Sequence, residues 1–141
     1  MNKPLFDRIV FNVCSEYNVS TEQLVTKDRK GEFTYPRQLI MYLAVKFNVG
    51  TYTEIANFFN RDHATVNNSI KSIRNYYETD PLKKETINNC EKKIRSDIEL
   101  KSILELFESE IKEIKNEMVL LELRYLKLKE KVDILLETIR G

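Results

Sequence analysis

Glycine and proline are scarce, with three of each in 141 residues. An all-β sandwich or barrel needs a turn every ~8–12 residues, and this chain has too few turn-formers to supply them. The G-x-G-x-x-G and G-x-x-x-x-G-K-[ST] loops are absent, which excludes nucleotide binding through either. No apolar run approaches the ~18 residues of a membrane-spanning helix. The first ten residues, MNKPLFDRIV, place Asp7 and Arg8 where a signal peptide would need an apolar run. Only two cysteines occur, Cys14 and Cys90, with no C-x-x-C. Neither a metal nor a redox motif is suggested, and reduced, idle thiols of a cytosolic protein are expected. Neither charge dominates, at 23 basic against 22 acidic residues.

Against those absences stand 42% apolar and 32% charged residues, a balance that argues against bulk disorder. The charge is unevenly spread. Between Lys27 and Arg74 lie eight basic residues and four acidic ones, a modest basic bias compatible with nucleic acid. The Thr79-Asp80-Pro81 step reads as a helix stop and a new start, with Asp as N-cap and Pro at the first helical position. It divides the chain into residues 1–79 and 80–141. The expected fold is all-α, a small helical domain followed by a long coiled-coil helix.

The first part reads as short helices. Pro4 opens one, with Phe6, Ile9, Val10, Val13 and Tyr17 at helical spacing. Ser20-Thr21-Glu22-Gln23 is a capping-box pattern for a second. A polar loop from Lys27 to Glu32 follows, and Pro36 is expected to start the next helix, from about Arg37 to Phe47. Asn48-Val49-Gly50 ends it. Thr51-Tyr52-Thr53-Glu54 is a second capping box. Asn60-Arg61-Asp62 makes a tight turn, and a last helix runs from about His63 to Tyr77, with Val66, Ile70, Ile73 and Tyr77 inward. Two helices across a three-residue turn have the dimensions of a helix-turn-helix, and equally of a plain helical hairpin.

The residues themselves separate these readings. Tyr35-Pro36-Arg37-Gln38-Leu39-Ile40-Met41-Tyr42-Leu43-Ala44, then Glu54-Ile55, then Arg61-Asp62-His63-Ala64-Thr65-Val66 resembles the C-terminal DNA-binding domain of the bacterial replication initiator DnaA. Its usual motifs are P-R-Q-x-A-M-Y-L and R-D-H-[ST]-T-V. The likeness covers roughly residues 5–77. It implies an all-helical fold whose helix-turn-helix reads the DnaA box in duplex DNA.

By that resemblance Asp62, His63 and Thr65 fall on base-contacting positions, at the end of the recognition helix that enters the major groove. Asp accepts from a cytosine amino group, and the Thr methyl meets a thymine methyl. Arg61 completes the motif. Asp62 is alternatively a simple N-cap, and His63 a packed or solvent-facing side chain. Arg29 falls on the family's minor-groove arginine, or is a solvated loop charge. Arg37 and Gln38 are expected to grip the phosphate backbone, and Thr53 to do likewise. Lys46 and Lys71 are weaker candidates. Two departures bear on specificity. Ala64 replaces the usual Ser or Thr, and the turn is one residue shorter than F-G-G-R-D-H, with Asn60 able to take the positive φ of the glycine. Nothing in these residues corresponds to an ATPase module, so no nucleotide is expected.

From Leu100 the apolar positions recur at spacings of 4 and 3 without a miss to Ile139, a coiled-coil pattern. Leu104, Ile111, Met118, Tyr125 and Val132 take position a, with Phe107, Ile114, Leu121, Leu128 and Leu135 at d. Val119, Leu120, Leu123, Leu126, Ile134 and Leu136 widen the apolar surface and suggest more than two helices or a second partner. The charges at e and g attract in an antiparallel pair and conflict in a parallel one, so a homo-oligomer is expected, an antiparallel dimer or a four-helix assembly. Ser96-Asp97-Ile98-Glu99 is a capping-box pattern that marks a possible break before the coil.

Together these readings point to a sequence-specific duplex-DNA-binding protein, cytoplasmic and nucleoid-associated, in replication initiation or its regulation. The alternatives are a transcriptional regulator and a coiled-coil adaptor on a degenerate initiator-like scaffold. An enzyme is not expected, because adjacent Asp62 and His63 have no nucleophile at a defined offset. No cofactor, metal or membrane is expected as a partner.

Overall fold

The computed structural model describes residues 1–27 and 31–141. Six helices follow one another, and among the described residues there is no strand. They are α1 (Lys3–Tyr17), α2 (Thr21–Val25), α3 (Gly31–Lys46), α4 (Tyr52–Phe58), α5 (His63–Thr79) and α6 (Pro81–Arg140). Two compact units result, Met1–Ile98 and Glu99–Gly141.

Local chemistry sets most helix ends. The Ser20 and Thr51 hydroxyls accept from the backbone N–H three residues on, and Gln23 and Glu54 return the bond to the cap's own N–H. Both capping boxes expected from the sequence therefore form. Helix exits use asparagine where glycine is more usual. Asn18, Asn48 and Asn60 have φ of 51°, 53° and 53°, and follow α1, α3 and α4. Asparagine tolerates this left-handed conformation better than most side chains do. After α3 the Asn48 N–H reaches the Val45 carbonyl at 3.0 Å, and the Val49 N–H reaches Ala44 at 2.9 Å. Two orphan carbonyls are satisfied this way.

The third helix starts five residues before Pro36, at Gly31. Pro36 forgoes one hydrogen bond, to the Glu32 carbonyl, and burial outweighs that loss. Pro36, Leu39, Ile40, Met41, Leu43 and Ala44 are all buried on α3, which packs against α1, α2, α4 and α5. Phe6, Ile9 and Val13 of α1, Leu24 of α2, Ile55 of α4, and Val66 and Ile73 of α5 close the core around it.

Asp80 does cap α6, its Oδ1 accepting from the N–H of Leu82 at 3.1 Å and of Lys83 at 3.2 Å. Packing does not stop there. Ile87, Cys90 and Ile94, spaced three and four apart, return to the same core. Burial pushes the Cys90 thiol up to about 11, so it stays protonated at neutral pH. Glu91 accepts from Lys46 Nζ at 2.7 Å. Asp97 accepts from Arg8 Nε at 2.8 Å and from Asn12 Nδ2 at 3.3 Å. A break in the helix at residue 80 is thus distinct from the end of the packed unit at Ile98. No helix break occurs at Ser96–Glu99; the capping-box pattern there lies inside a continuous helix.

The second unit continues the same helix, and every residue from Glu99 onward is exposed in the single chain. Among the described residues no helix is long and apolar enough to cross a membrane.

Ile94→Ala should destabilise the first unit by about 2–5 kcal/mol, the usual cost of emptying a core aliphatic site, read from urea unfolding. The Arg8 guanidinium and then Asn12 hold the Asp97 carboxyl below its ordinary value. A depressed carboxylate stabilises fully above its unfolded pKa of about 3.9, and that contribution is lost as pH falls through the lower folded value. Asp97→Asn should therefore lower stability at neutral pH and flatten its decline below about pH 4, which unfolding curves against pH will show.

Candidate nucleic-acid interface

The region from α4 to α5 is built around one turn. Phe59 caps α4 and is fully buried. Asn60, with its positive φ, lets the Asn60 N–H bond to the Asn57 carbonyl at 3.1 Å and the Arg61 N–H to Ala56 at 3.0 Å. That double bond pattern is a Schellman stop, with asparagine in glycine's place. Asp62 then starts α5. Its Oδ1 accepts from the Thr65 N–H at 3.0 Å and from the Thr65 hydroxyl at 3.1 Å. Those two bonds hold the Asp62 carboxyl below its ordinary range, with a smaller push from His63. At neutral pH Asp62 is an ionised acceptor at the mouth of the helix.

The inner face of α5 carries Val66, Ser69, Ile70 and Ile73. The outer face exposes His63, Ala64, Asn67, Asn68 and Lys71. Helical spacing puts His63, Asn67 and Lys71 on one line, with Ala64 and Asn68 beside it. His63 and Lys71 share this face, two helical turns apart. Asn67 and Asn68 were not singled out from the sequence. Their signal was the i+4 step from His63 and Ala64, and asparagine is a bidentate partner for adenine.

The other expected contact residues separate. Thr53 is exposed in the first turn of α4, and Gln38 is half-buried on α3. Arg37, expected on phosphate, is 5% exposed. Its Nε donates to the Leu24 carbonyl at 2.7 Å and an Nη donates to Thr26 at 3.3 Å. A guanidinium cannot shed its charge, so once α3 is buried its donors must find acceptors inside, and the end of α2 supplies them. Arg61 is half-buried and donates to the same Thr26 carbonyl at 3.1 Å. Two arginines, one from α3 and one from the turn, thus fix the end of α2 at Thr26. Lys46 is held by Glu91. Arg29 lies outside the described residues.

The sequence that builds this capped turn and helix start is similar to that of known proteins. Residues 6–73 match the family described as the bacterial DnaA protein helix-turn-helix. Residues 6–73 are a DnaA-type helix-turn-helix domain. Similar proteins include chromosomal replication initiator proteins DnaA. That of Desulfotalea psychrophila is 39% identical over 61 residues, covering 43% of this chain and 13% of that protein. That of Acholeplasma laidlawii is 34% identical over 98 residues, covering 68% of this chain and 22% of that protein. A Thermoanaerobacter relative is 32% identical over 83 residues, covering 59% and 19%. The chain spans about a fifth or less of the length of these curated relatives. Among the described residues no group of three His, Cys, Asp or Glu is placed to hold a metal ion.

Within the DnaA-type domain, Arg37→Ala should cost about 2–4 kcal/mol, since it strips charged donors from buried carbonyls, as measured by chemical denaturation. Arg37→Lys should recover only part of that, because an ammonium lacks the planar fork. Asp62→Ala should fray the start of α5 and speed amide exchange at Thr65, whereas Asp62→Asn, also a good cap, should leave that exchange slow.

Proposed function

We propose that this protein binds duplex DNA at DnaA-box-like sites, in replication initiation or its regulation, and joins copies of itself through residues 99–141. The DnaA-type domain carries the first half of this reading. The observation that bears most weight is the start of α5, where the fixed Asp62 carboxylate sits beside exposed His63. An ionised Asp repels phosphate, so its place at that helix end favours readout of a base amino group over backbone contact. His63, Asn67 and Asn68 add donors and acceptors along the same face, and Lys71 supplies positive charge for phosphate. Thr65 has its hydroxyl turned to Asp62, leaving its methyl for a thymine. Gln38 and Thr53 extend the backbone grip, and Arg29 is the candidate for the minor groove. A cytoplasmic, nucleoid-associated location goes with this role. Neither a nucleotide nor a catalytic group enters it.

Oligomerisation is supported by the apolar surface of the second unit. Each a and d residue from Leu100 to Ile139 is more than half exposed in the single chain. Val119, Leu120 and Leu123 sit at positions b, c and f, across the helix from the a/d seam. A helix that is apolar on more than one face is covered on more than one side, which favours a four-helix assembly over an isolated pair.

The test is a salt titration of binding to a DnaA-box duplex and to a scrambled duplex. Box affinity should exceed scrambled affinity, and both should fall steeply with salt as counterions are released. Asn67→Ala and His63→Ala should each reduce the box-over-scrambled preference by about 1–3 kcal/mol. Lys71→Ala should weaken both duplexes alike and reduce the salt slope by about 1. Equal affinity for both duplexes at every salt concentration would leave the adaptor reading in its place.

A further inference from the structure

The second unit is an unbroken helix whose seam lacks a partner, and its charges identify the occupant. Because α6 runs without interruption from Pro81 to Arg140, the heptad register set at Leu100 holds through Ile139. The least exposed residue of that seam, Ile111, is still 52% exposed. An apolar a/d seam of this length needs a helix alongside it.

Resting on the oligomeric reading above, we propose that the seam is covered by a second copy of this chain running antiparallel, its two-fold axis passing between Val119 and Leu120. Position e carries Glu108, Lys115, Glu122 and Lys129. Position g carries Glu110, Glu117, Arg124 and Lys131. In an antiparallel pair e faces e and g faces g. The contacts become Glu108 with Lys129, Lys115 with Glu122, Glu110 with Lys131, and Glu117 with Arg124. All four attract, and the axis repeats each. In a parallel pair g faces the next e, which pairs Glu110 with Lys115 favourably but sets Glu117 against Glu122 and Arg124 against Lys129, both repulsive. Exposed pairs are individually weak, yet like charges face each other only in the parallel pair, which selects orientation.

Side-chain volume agrees with charge. The antiparallel axis sets Phe107 against Val132 and Tyr125 against Ile114, so each bulky ring meets a smaller partner. Ile111 meets Leu128, and Met118 meets Leu121. A parallel pair would stack Phe107 on Phe107 and Tyr125 on Tyr125, then leave Val132 facing Val132. Layers of such uneven volume pack poorly. In the antiparallel pair the two Glu99 residues lie about 60 Å apart, at a rise of about 1.5 Å per residue. The two DNA-binding units then join the rod at opposite ends, an arrangement suited to bridging separate sites.

Single-cysteine coils test this. Leu104→Cys and Leu135→Cys are made separately in full-length Cys14→Ser protein. Cys90 stays, since it is buried in the core. Each variant is oxidised alone, then after equilibrating a one-to-one mixture, and masses are measured by light scattering. A disulfide closes only when the Cα atoms approach within about 4.4–6.8 Å, so the mixed 104–135 species should exceed either like-with-like species by about tenfold or more. Efficient 104–104 and 135–135 linkage overturns the antiparallel arrangement and leaves oligomerisation intact. Dimeric mass with no linkage of any kind overturns the axis at Val119–Leu120. A monomeric mass overturns the oligomeric reading itself.

Discussion

Everything in the first unit depends on the burial of α3. A helix covered by α1, α2, α4 and α5 can hold a charge only if the fold supplies the acceptors, and Arg37 is that charge. Its bonds to the carbonyls of Leu24 and Thr26 brace the end of α2 against α3. Arg61 reaches the same Thr26 oxygen from the helix-turn-helix. A packing requirement in the core thereby becomes a positional requirement on two elements, the end of α2 and the turn before α5. An electrostatic need that looks local ties together residues far apart in sequence.

Much of this was legible from the sequence because its cause is local. A cap residue and its partner three positions on interact whatever the rest of the chain does, so the boxes at Ser20 and Thr51 and the caps at Asp62 and Asp80 could be read directly. The 4-3 spacing from Leu100 is equally self-contained. What escaped was tertiary. Pro36 is a good helix-start signal, but the buried face around it outweighs one missing hydrogen bond. Arg37 carries a phosphate-binding chemistry and an interior-bracing chemistry alike, and only the position of the Leu24 and Thr26 carbonyls chooses between them. Ile87, Cys90 and Ile94 are three apolar residues in a polar stretch, too few to announce a core contact. Asn67 and Asn68 carried a readable periodicity that was overlooked.

The shortage of glycine has a structural counterpart. Three helices end on an asparagine in the left-handed region, a position glycine fills more cheaply in the folded state and more expensively in the unfolded one. The chain therefore loses less backbone freedom on folding than glycine caps would cost. It accepts some strain at Asn18, Asn48 and Asn60 in exchange, and the last of these sits in the turn before α5.

The helix that closes the core is also the helix that forms the coil, and this bears on how the coil comes to exist at all. Starting a helix in water is unfavourable, with a nucleation constant of about 10⁻³, whereas lengthening one is close to neutral per residue. Asp80 and Pro81 provide the start, and Ile87, Cys90 and Ile94 hold the first turns in place through the folded domain. Residues beyond Glu99 then grow from a helix that already exists and never pay the nucleation penalty. In the pairing proposed above, two chains would meet as preformed helices, and an encounter need only align their seams. Folding of the domain would in this sense precede the proposed assembly, and a lesion that melts the start of α6 would be felt forty residues downstream.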